Sequence, residues 1–268
     1  MKLRIGFVQT HPRFGEVGRN LASAAALVEN AAPFDLLVLP ELFATGYLFR
    51  DRAEAVALSE DVDGPTVRAL REWSSARGGA IAAGFAERAG DRVYNAAALV
   101  EPSGTTRVYR KVHLFDRETF VFDEGDRPFE AWDVETASGR VRVGVMVCFD
   151  WVYPESARSL ALQGAEVLLH PSNLVLPFCQ EAMRTRCLEN RIFAVTANRI
   201  ASDDRGDARL EFTGRSQIVG ARGEVLARAG ADGECSDVRE VDLAQARDKW
   251  ITRRNEIFGG RRPGAYSL

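Results

Sequence analysis

Arg140-Val141-Arg142-Val143-Gly144-Val145-Met146-Val147-Cys148 alternates polar and apolar residues and then turns wholly apolar. That is the pattern of a strand passing from a half-exposed to a buried position. Phe149-Asp150-Trp151 breaks it, and Pro154-Glu155-Ser156-Ala157-Arg158 opens a helix with proline in its first turn. A strand end turning toward a helix is a unit of α/β folds, and ligands there bind at the carboxyl ends of strands. Cys148 stands at such an end. A thiol in that place can meet backbone donors near the helix start, which lower its pKa. Taken alone, it reads more simply as a small buried hydrophobe.

Two further stretches share this form. Asp35-Leu36-Leu37-Val38-Leu39-Pro40-Glu41 is a short apolar run ending in Pro-Glu, followed by the loop Leu42-Phe43-Ala44-Thr45-Gly46-Tyr47. It reads as a central buried strand with a carboxylate just past its end. Glu41 is a general base if burial raises its pKa, and otherwise a helix cap or surface ion-pair partner. In Thr105-Thr106-Arg107-Val108-Tyr109-Arg110-Lys111-Val112-His113-Leu114-Phe115, basic residues sit inside a strand-like stretch. Arg110 and Lys111 are neighbours and point to opposite faces, so one of them faces inward. That is costly unless it meets a carboxylate or a substrate oxygen. The other reading is an edge strand protected by charge.

Taken together, the three stretches carry a resemblance. The chain resembles the nitrilase superfamily of carbon–nitrogen hydrolases through residues 39–47, 109–115 and 144–150, in the order Glu, Lys, Cys. The similarity runs from Arg4 to about Tyr266, and His170-Pro171-Ser172-Asn173 and Arg186-Cys187-Leu188-Glu189-Asn190-Arg191 belong to it. The resemblance implies a four-layer α-β-β-α sandwich. It also implies a cysteine-dependent hydrolase of non-peptide carbon–nitrogen bonds with Cys148 as nucleophile, Glu41 as proton shuttle and Lys111 as oxyanion stabiliser. The residue types fit that chemistry, with the N–H of Phe149 as a second oxyanion donor. The family carries a second glutamate in its site. Glu118 matches it better than Glu124, and Asp116 is third.

A small amide converted to an acid and ammonia is the substrate class expected. An N-carbamoyl amine or amino acid is the alternative, ahead of a nitrile or an inactive binding protein. Nitrilases of the superfamily carry Trp-Glu after the nucleophile, whereas Phe149-Asp150 follows it here. Tyr47, Phe149, Trp151, Asn173 and Pro177-Phe178 are expected to line the pocket. Arg184 and Arg186 lie near that segment, either for a substrate carboxylate or as helix-surface ion pairs. The resemblance further implies a homodimer or larger oligomer through helices at 155–163 and 180–190, with the tail 258–268 crossing to a partner.

Composition bounds the rest. The chain has 268 residues, 46% of them hydrophobic, and a net charge of −3 without a block of like charge. A nucleic-acid partner would need a basic stripe. No stretch has the length of a membrane span, and Leu3-Arg4-Ile5-Gly6-Phe7-Val8 begins a strand at once, so a cytoplasmic protein without a signal peptide is expected. Cys148, Cys179, Cys187 and Cys235 form no C-x-x-C pair, and neither metal nor other cofactor is expected. On a shared helix Cys179 and Cys187 stand about 12 Å apart, too far to bridge. Both read as structural, the alternative being a place near the pocket for Cys179. The three histidines, His11, His113 and His170, come with no nucleophile elbow, Walker loop or dinucleotide fingerprint. His113 is placed beside the site, two residues from Lys111.

Periodicity places strands at 4–9, 36–39, 80–86, 93–100, 106–112, 141–147, 167–170, 193–198, 216–219 and 225–229, with another near 238–241. Helices are placed at 20–31, 66–76, 155–163, 180–190 and 243–249. Strands alternating with helices predict sheets covered by helices. With no repeat or low-complexity linker, residues 1–268 read as one domain.

Overall fold

In the computed structural model, residues 1–206 and 208–266 are described. Asp207, Ser267 and Leu268 lie outside the described residues, and with the last two goes the end of the tail expected to reach a partner.

The short run Leu36-Leu37-Val38-Leu39 shows how the layers arise. Successive residues of a strand face opposite sides. Leu36 and Val38 pack into one core with Leu3, Ile5 and Phe7, against Val143, Val145 and Leu169 of a second sheet. Leu37 and Leu39 pack into another core with Ala24, Val28, Val67 and Leu70 of two covering helices. A strand buried on both faces must be apolar throughout, which is why this run does not alternate. Each fully buried aliphatic or aromatic side chain here contributes about 1.5–3 kcal/mol.

The first sheet contains β1 (Lys2–Gln9), β2 (Leu36–Val38), β3 (Ala80–Ala89), β4 (Arg92–Val100) and β5 (Thr106–Arg110). The second contains β6 (Ala131–Thr136), β7 (Gly139–Val145), β8 (Val167–Pro171) and β9 (Phe193–Ala197). A small hairpin, β10 (Ser202–Asp204) and β11 (Arg209–Glu211), precedes β12 (Gln217–Val219) and β13 (Val225–Arg228) of the second sheet. β14 (Cys235–Asp242) returns to the first sheet, and β15 (Trp250–Thr252) with β16 (Asn255–Glu256) forms a terminal hairpin. Both large sheets have six strands, ordered β14-β1-β2-β3-β4-β5 and β13-β12-β9-β8-β7-β6. The centres are parallel, β1-β2-β3 in one and β7-β8-β9 in the other. Beyond their ends, Thr10 and Arg199 form a parallel bridge between the sheets.

The helices are α1 (Val17–Asn30), α2 (Arg52–Leu58), α3 (Pro65–Arg77), α4 (Glu118–Val121), α5 (Pro154–Leu162), α6 (Cys179–Asn190) and α7 (Ala244–Arg247). α1 and α3 cover the first sheet. α5 covers the second so closely that a Cβ on Gly144 would stand 2.8 Å from a Leu160 methyl. Glycine is what that contact requires.

Most elements lie within a few residues of their expected ends, where strands and helices fray. Three differences matter. The strand expected through Val112 ends at Arg110, which leaves Lys111 in a loop. The helix expected over 243–249 is only Ala244–Arg247. A 3₁₀ turn, Cys148–Val152, comes before the helix that proline opens. β6, α2, α4 and the β10–β11 hairpin were not anticipated.

Candidate active site

Glu41 follows the end of β2, and the neighbouring strand makes room for it. Gly84 of β3 lies against the turn, where a Cβ would stand 2.4 Å from Glu41 Cα and 2.7 Å from Leu42 N. The Gly84 N–H donates to Pro40 O at 3.1 Å. Leu42 takes φ 48°, a left-handed conformation unfavourable for a branched side chain. This strained turn aims the fully buried Glu41 carboxylate inward.

Lys111 lies just beyond β5, which runs in the direction of β2 and β3 because two antiparallel pairings separate it from β3. Its ammonium is fully buried and donates to Glu41 Oε1 and to both Glu118 oxygens, each at 2.8 Å. The two carboxylates differ in their remaining partners. Glu118 also accepts from Tyr47 Oη at 2.5 Å and from the Phe115 N–H at 3.3 Å. Glu41 Oε1 also accepts from Asn95 Nδ2 at 2.7 Å, while Oε2 has no hydrogen-bond partner among the described residues. The Asn173 side chain donates to Glu41 O at 2.9 Å, which ties the second sheet to the first.

Cys148 follows β7 and takes φ 41°. Its backbone is held from two sides. His170 Nε2 lies 3.0 Å from Cys148 O, consistent with donation from that nitrogen. The buried Asp150 carboxylate accepts from Val147 N at 2.8 Å, Tyr109 Oη at 2.7 Å and His113 N at 3.2 Å, with His113 Nδ1 at 2.8 Å. Asp150 thereby joins the cysteine turn to the segment on both sides of Lys111. Strain of this kind persists only where surrounding bonds over-determine it.

The electrostatics follow from burial. Desolvation raises Glu41 above the usual carboxylate range, with Lys111 pulling it down and Glu118 adding to the rise. Burial alone would lower Lys111, but Glu118, Glu41 and Cys148 outweigh it and hold the ammonium above the usual lysine range. Burial, reinforced by Glu118 and Glu41, keeps Tyr47 protonated and a donor. Burial pushes the Cys148 thiol well up, Glu41 adds to this, and Lys111 opposes it. The thiol points at the Asn173 carbonyl, 3.6 Å away, and desolvation outweighs the lysine.

Two hollows adjoin the cluster. One of about 190 Å³ is lined by Tyr47, Glu118 and apolar groups including Phe49, Val121, Phe122 and Leu210, with Asp116, Arg117 and Arg209 also on its wall. The other, about 10 Å³, touches Cys148, Phe149, Trp151 and Asn173. The structure thus brings Glu41, Lys111, Glu118, Cys148 and Tyr47 together and puts Phe149, Trp151 and Asn173 around the thiol. Glu124 and Asp116 are exposed. Pro177 and Phe178 line neither hollow, and Phe178 is exposed because its segment turns outward at the start of α6. Cys179 is buried at the start of α6 and lines neither. Arg184 pairs with Glu181, and Arg186 with Glu189 and the carbonyls of Trp151 and Val152. Neither arginine lines a hollow.

Sequence reasoning missed Asn95, although an amide inside the apolar run Val93–Val100 is a signal, since a buried amide needs partners. It also missed the walls at Phe49, Val121, Phe122 and Leu210, which no local pattern connects. Among the described residues, no group of His, Cys, Asp and Glu side chains is arranged to hold a metal ion. No helix among them is long and apolar enough to cross a membrane.

Two large sheets face to face between helices are the fold of nitrilase-superfamily structures. The chain belongs to the carbon–nitrogen hydrolase family, whose model matches residues 4–249. It is 42% identical over 267 residues to a nitrilase of Pyrococcus abyssi (strain GE5 / Orsay), covering 98% of this chain and 99% of that one. It is 36% identical over 248 residues to an (R)-stereoselective amidase of Pseudomonas sp, covering 91% and 86%. A solved carbon–nitrogen hydrolase from Helicobacter pylori G27 matches with a TM-score of 0.89 at 27% identity, covering 99% of this chain and 97% of that one.

Proposed function

We propose that this carbon–nitrogen hydrolase is an amidase that converts a small amide and water into a carboxylic acid and ammonia through a thioester on Cys148. The observation that carries the reading is the asymmetry of the two glutamates. Glu118 has all its oxygens engaged, whereas Glu41 keeps one buried oxygen unpartnered and a raised proton affinity. Glu41 is thus the group able to accept a proton. Because Cys148 rests as a thiol, Glu41 takes its proton as sulfur attacks the carbonyl carbon. Lys111 and the Phe149 N–H, near the start of a 3₁₀ turn, stabilise the oxyanion. The C–N bond breaks as Glu41 returns the proton to nitrogen, and ammonia leaves. Water then loses a proton to Glu41 and adds to the thioester, the C–S bond breaks, and sulfur regains its proton.

A nitrile is the second reading, supported by the name of the Pyrococcus relative. An N-carbamoyl amino acid is a third, supported by Arg117 and Arg209 on the wall of the larger hollow. Ammonia release from amides, nitriles and N-carbamoyl compounds, run beside Cys148→Ala, tests all three. Cysteine-dependent release from amides supports the amidase. Release from nitriles alone, or from N-carbamoyl compounds with carbon dioxide, overturns it in favour of the others.

A homodimer or larger oligomer belongs to the same proposal. Leu162 of α5, Leu188 of α6 and Trp250, Ile251 and Tyr266 near the C-terminus are exposed apolar side chains suited to a partner. Light scattering at monomer mass would overturn it.

A further inference from the structure

The larger hollow and the small space at the thiol have Phe115 on a shared wall. The space at Cys148 is about 10 Å³, at the threshold for a single water molecule and too small for any amide. The larger hollow is about 190 Å³. An apolar cavity of about 150 Å³ is enough to take benzene. Among the described residues, Phe115 alone lines both. Its ring rests on Phe149 at 5.0 Å, and its N–H is fixed by Glu118.

We propose that the larger hollow is the acyl site and that Phe115 is the partition setting which acyl groups reach the thiol. This rests on the amidase reading and gives it a substrate class: amides of compact acyl groups up to the size of a benzoyl or branched aliphatic unit, seated on the apolar part of a wall that also carries Asp116, Arg117 and Arg209. The floor is polar where Tyr47 and Glu118 stand, and this end faces the reacting amide. Phe49, Val121, Phe122 and Leu210 supply apolar contact for the acyl group. Turnover requires the Phe115 ring to yield, since the carbonyl carbon and the acyl group lie on its two sides. Phe115 is therefore a specificity-determining residue.

The test is the ratio of kcat/KM for benzamide to that for propionamide. Val121→Phe fills the hollow and is expected to lower the ratio at least tenfold. Phe115→Ala joins the two spaces and is expected to raise it several-fold. Leu210→Trp fills the hollow from the surface hairpin and serves if Val121→Phe does not fold. Benzamide binding to Cys148→Ala, measured by calorimetry, is expected to weaken at least tenfold when either filling change is added. Amide turnover with a ratio and an affinity that stay within twofold in every variant overturns the acyl site and leaves the amidase standing. Binding that depends on positions 121 and 210 without amide turnover overturns the amidase and keeps the site. Neither turnover nor binding overturns both.

Discussion

Arg110 and Lys111 are consecutive residues at one strand end, and each meets two carboxylates. Arg110 lies on the outer side. Its fork donates to both Glu87 oxygens at 2.7 and 2.8 Å and to Asp126 at 2.8 Å, and it stands 4.1 Å from the centre of the Tyr94 ring. Lys111 lies inside and meets Glu118 and Glu41 with a single ammonium. A planar guanidinium matches both oxygens of a carboxylate, whereas an ammonium is a point charge with three donors. The outer cluster therefore satisfies both Glu87 oxygens, while the inner one leaves Glu41 Oε2 without a partner among the described residues. Similar charges are fully paired on one face and leave a buried carboxylate oxygen unpaired among the described residues on the other.

The sharpest break of this comparison removes the inner chemistry. Cys148→Ala and Glu41→Gln are each expected to lower kcat by about 10⁴–10⁶, the range seen when a nucleophile or its base is lost. Glu41→Gln keeps the Asn95 and Lys111 contacts within reach, so its thermal midpoint should stay within a few degrees of wild type. An active Glu41→Gln protein would make the unpartnered oxygen irrelevant.

The next contrast exchanges the cations one at a time. Lys111→Met should reduce kcat by about 10²–10³ through the lost oxyanion donor. It also leaves two carboxylates buried together, at a cost of about 3–5 kcal/mol. Arg110→Met leaves the buried Glu87 without its cation and should cost about 1.5–3 kcal/mol, the Asp126 part being discounted because that residue is exposed, and change kcat less than about threefold. Urea unfolding together with steady-state kinetics on the two variants measures both effects. Similar kinetic losses in both would erase the distinction between the clusters.

Backbone space makes a third test. Gly84→Ala drives a methyl into the Glu41 turn. Displacing a reacting group by about 1 Å costs on the order of 10² in rate, and overpacking costs about 1–3 kcal/mol. A rate loss out of proportion to the stability loss would show that Gly84 serves the aim of Glu41 beyond its part in the sheet. Equal rates would separate Glu41 placement from this contact.

The inner cluster was more legible than its surroundings, and the reason is physical. Glu41, Lys111 and Cys148 each follow a strand end within a run that carries its own pattern, so local sequence marks them. Glu118 sits on α4, a four-residue helix too short to show a period, and it was reached through the resemblance. Phe49, Val121 and Leu210 come from a loop, the end of α4 and a surface hairpin, and only tertiary packing brings them to one wall. β6 was missed because Trp132-Asp133-Val134-Glu135 is a half-polar edge strand, paired on one side by β7. The direction of the Cys148 shift is not legible in sequence, which shows the donors near a helix start but not the depth of burial.

The smallest effect at neutral pH concerns His170, which holds the Cys148 carbonyl from the second sheet. Burial lowers its pKa from 6.5 to about 4. Above pH 6.5 the imidazole is neutral in both folded and unfolded chains, and its contribution is fully present. As pH falls through 6.5 the unfolded chain takes up a proton that the folded chain refuses until about pH 4. Stability is lost across that window, by up to about 3 kcal/mol at its lower end. Glu41 acts in the opposite sense, because a raised carboxyl pKa gives stability that fades as pH rises. The His170 part is isolated by comparing wild type with His170→Gln in urea at pH 7, 5.5 and 4.5. The variant should lose less stability on acidification, with turnover at pH 7 reduced less than about tenfold. Parallel pH profiles would mean that His170 titrates normally in the folded chain. The loss of stability on acidification would then have to come from groups other than His170.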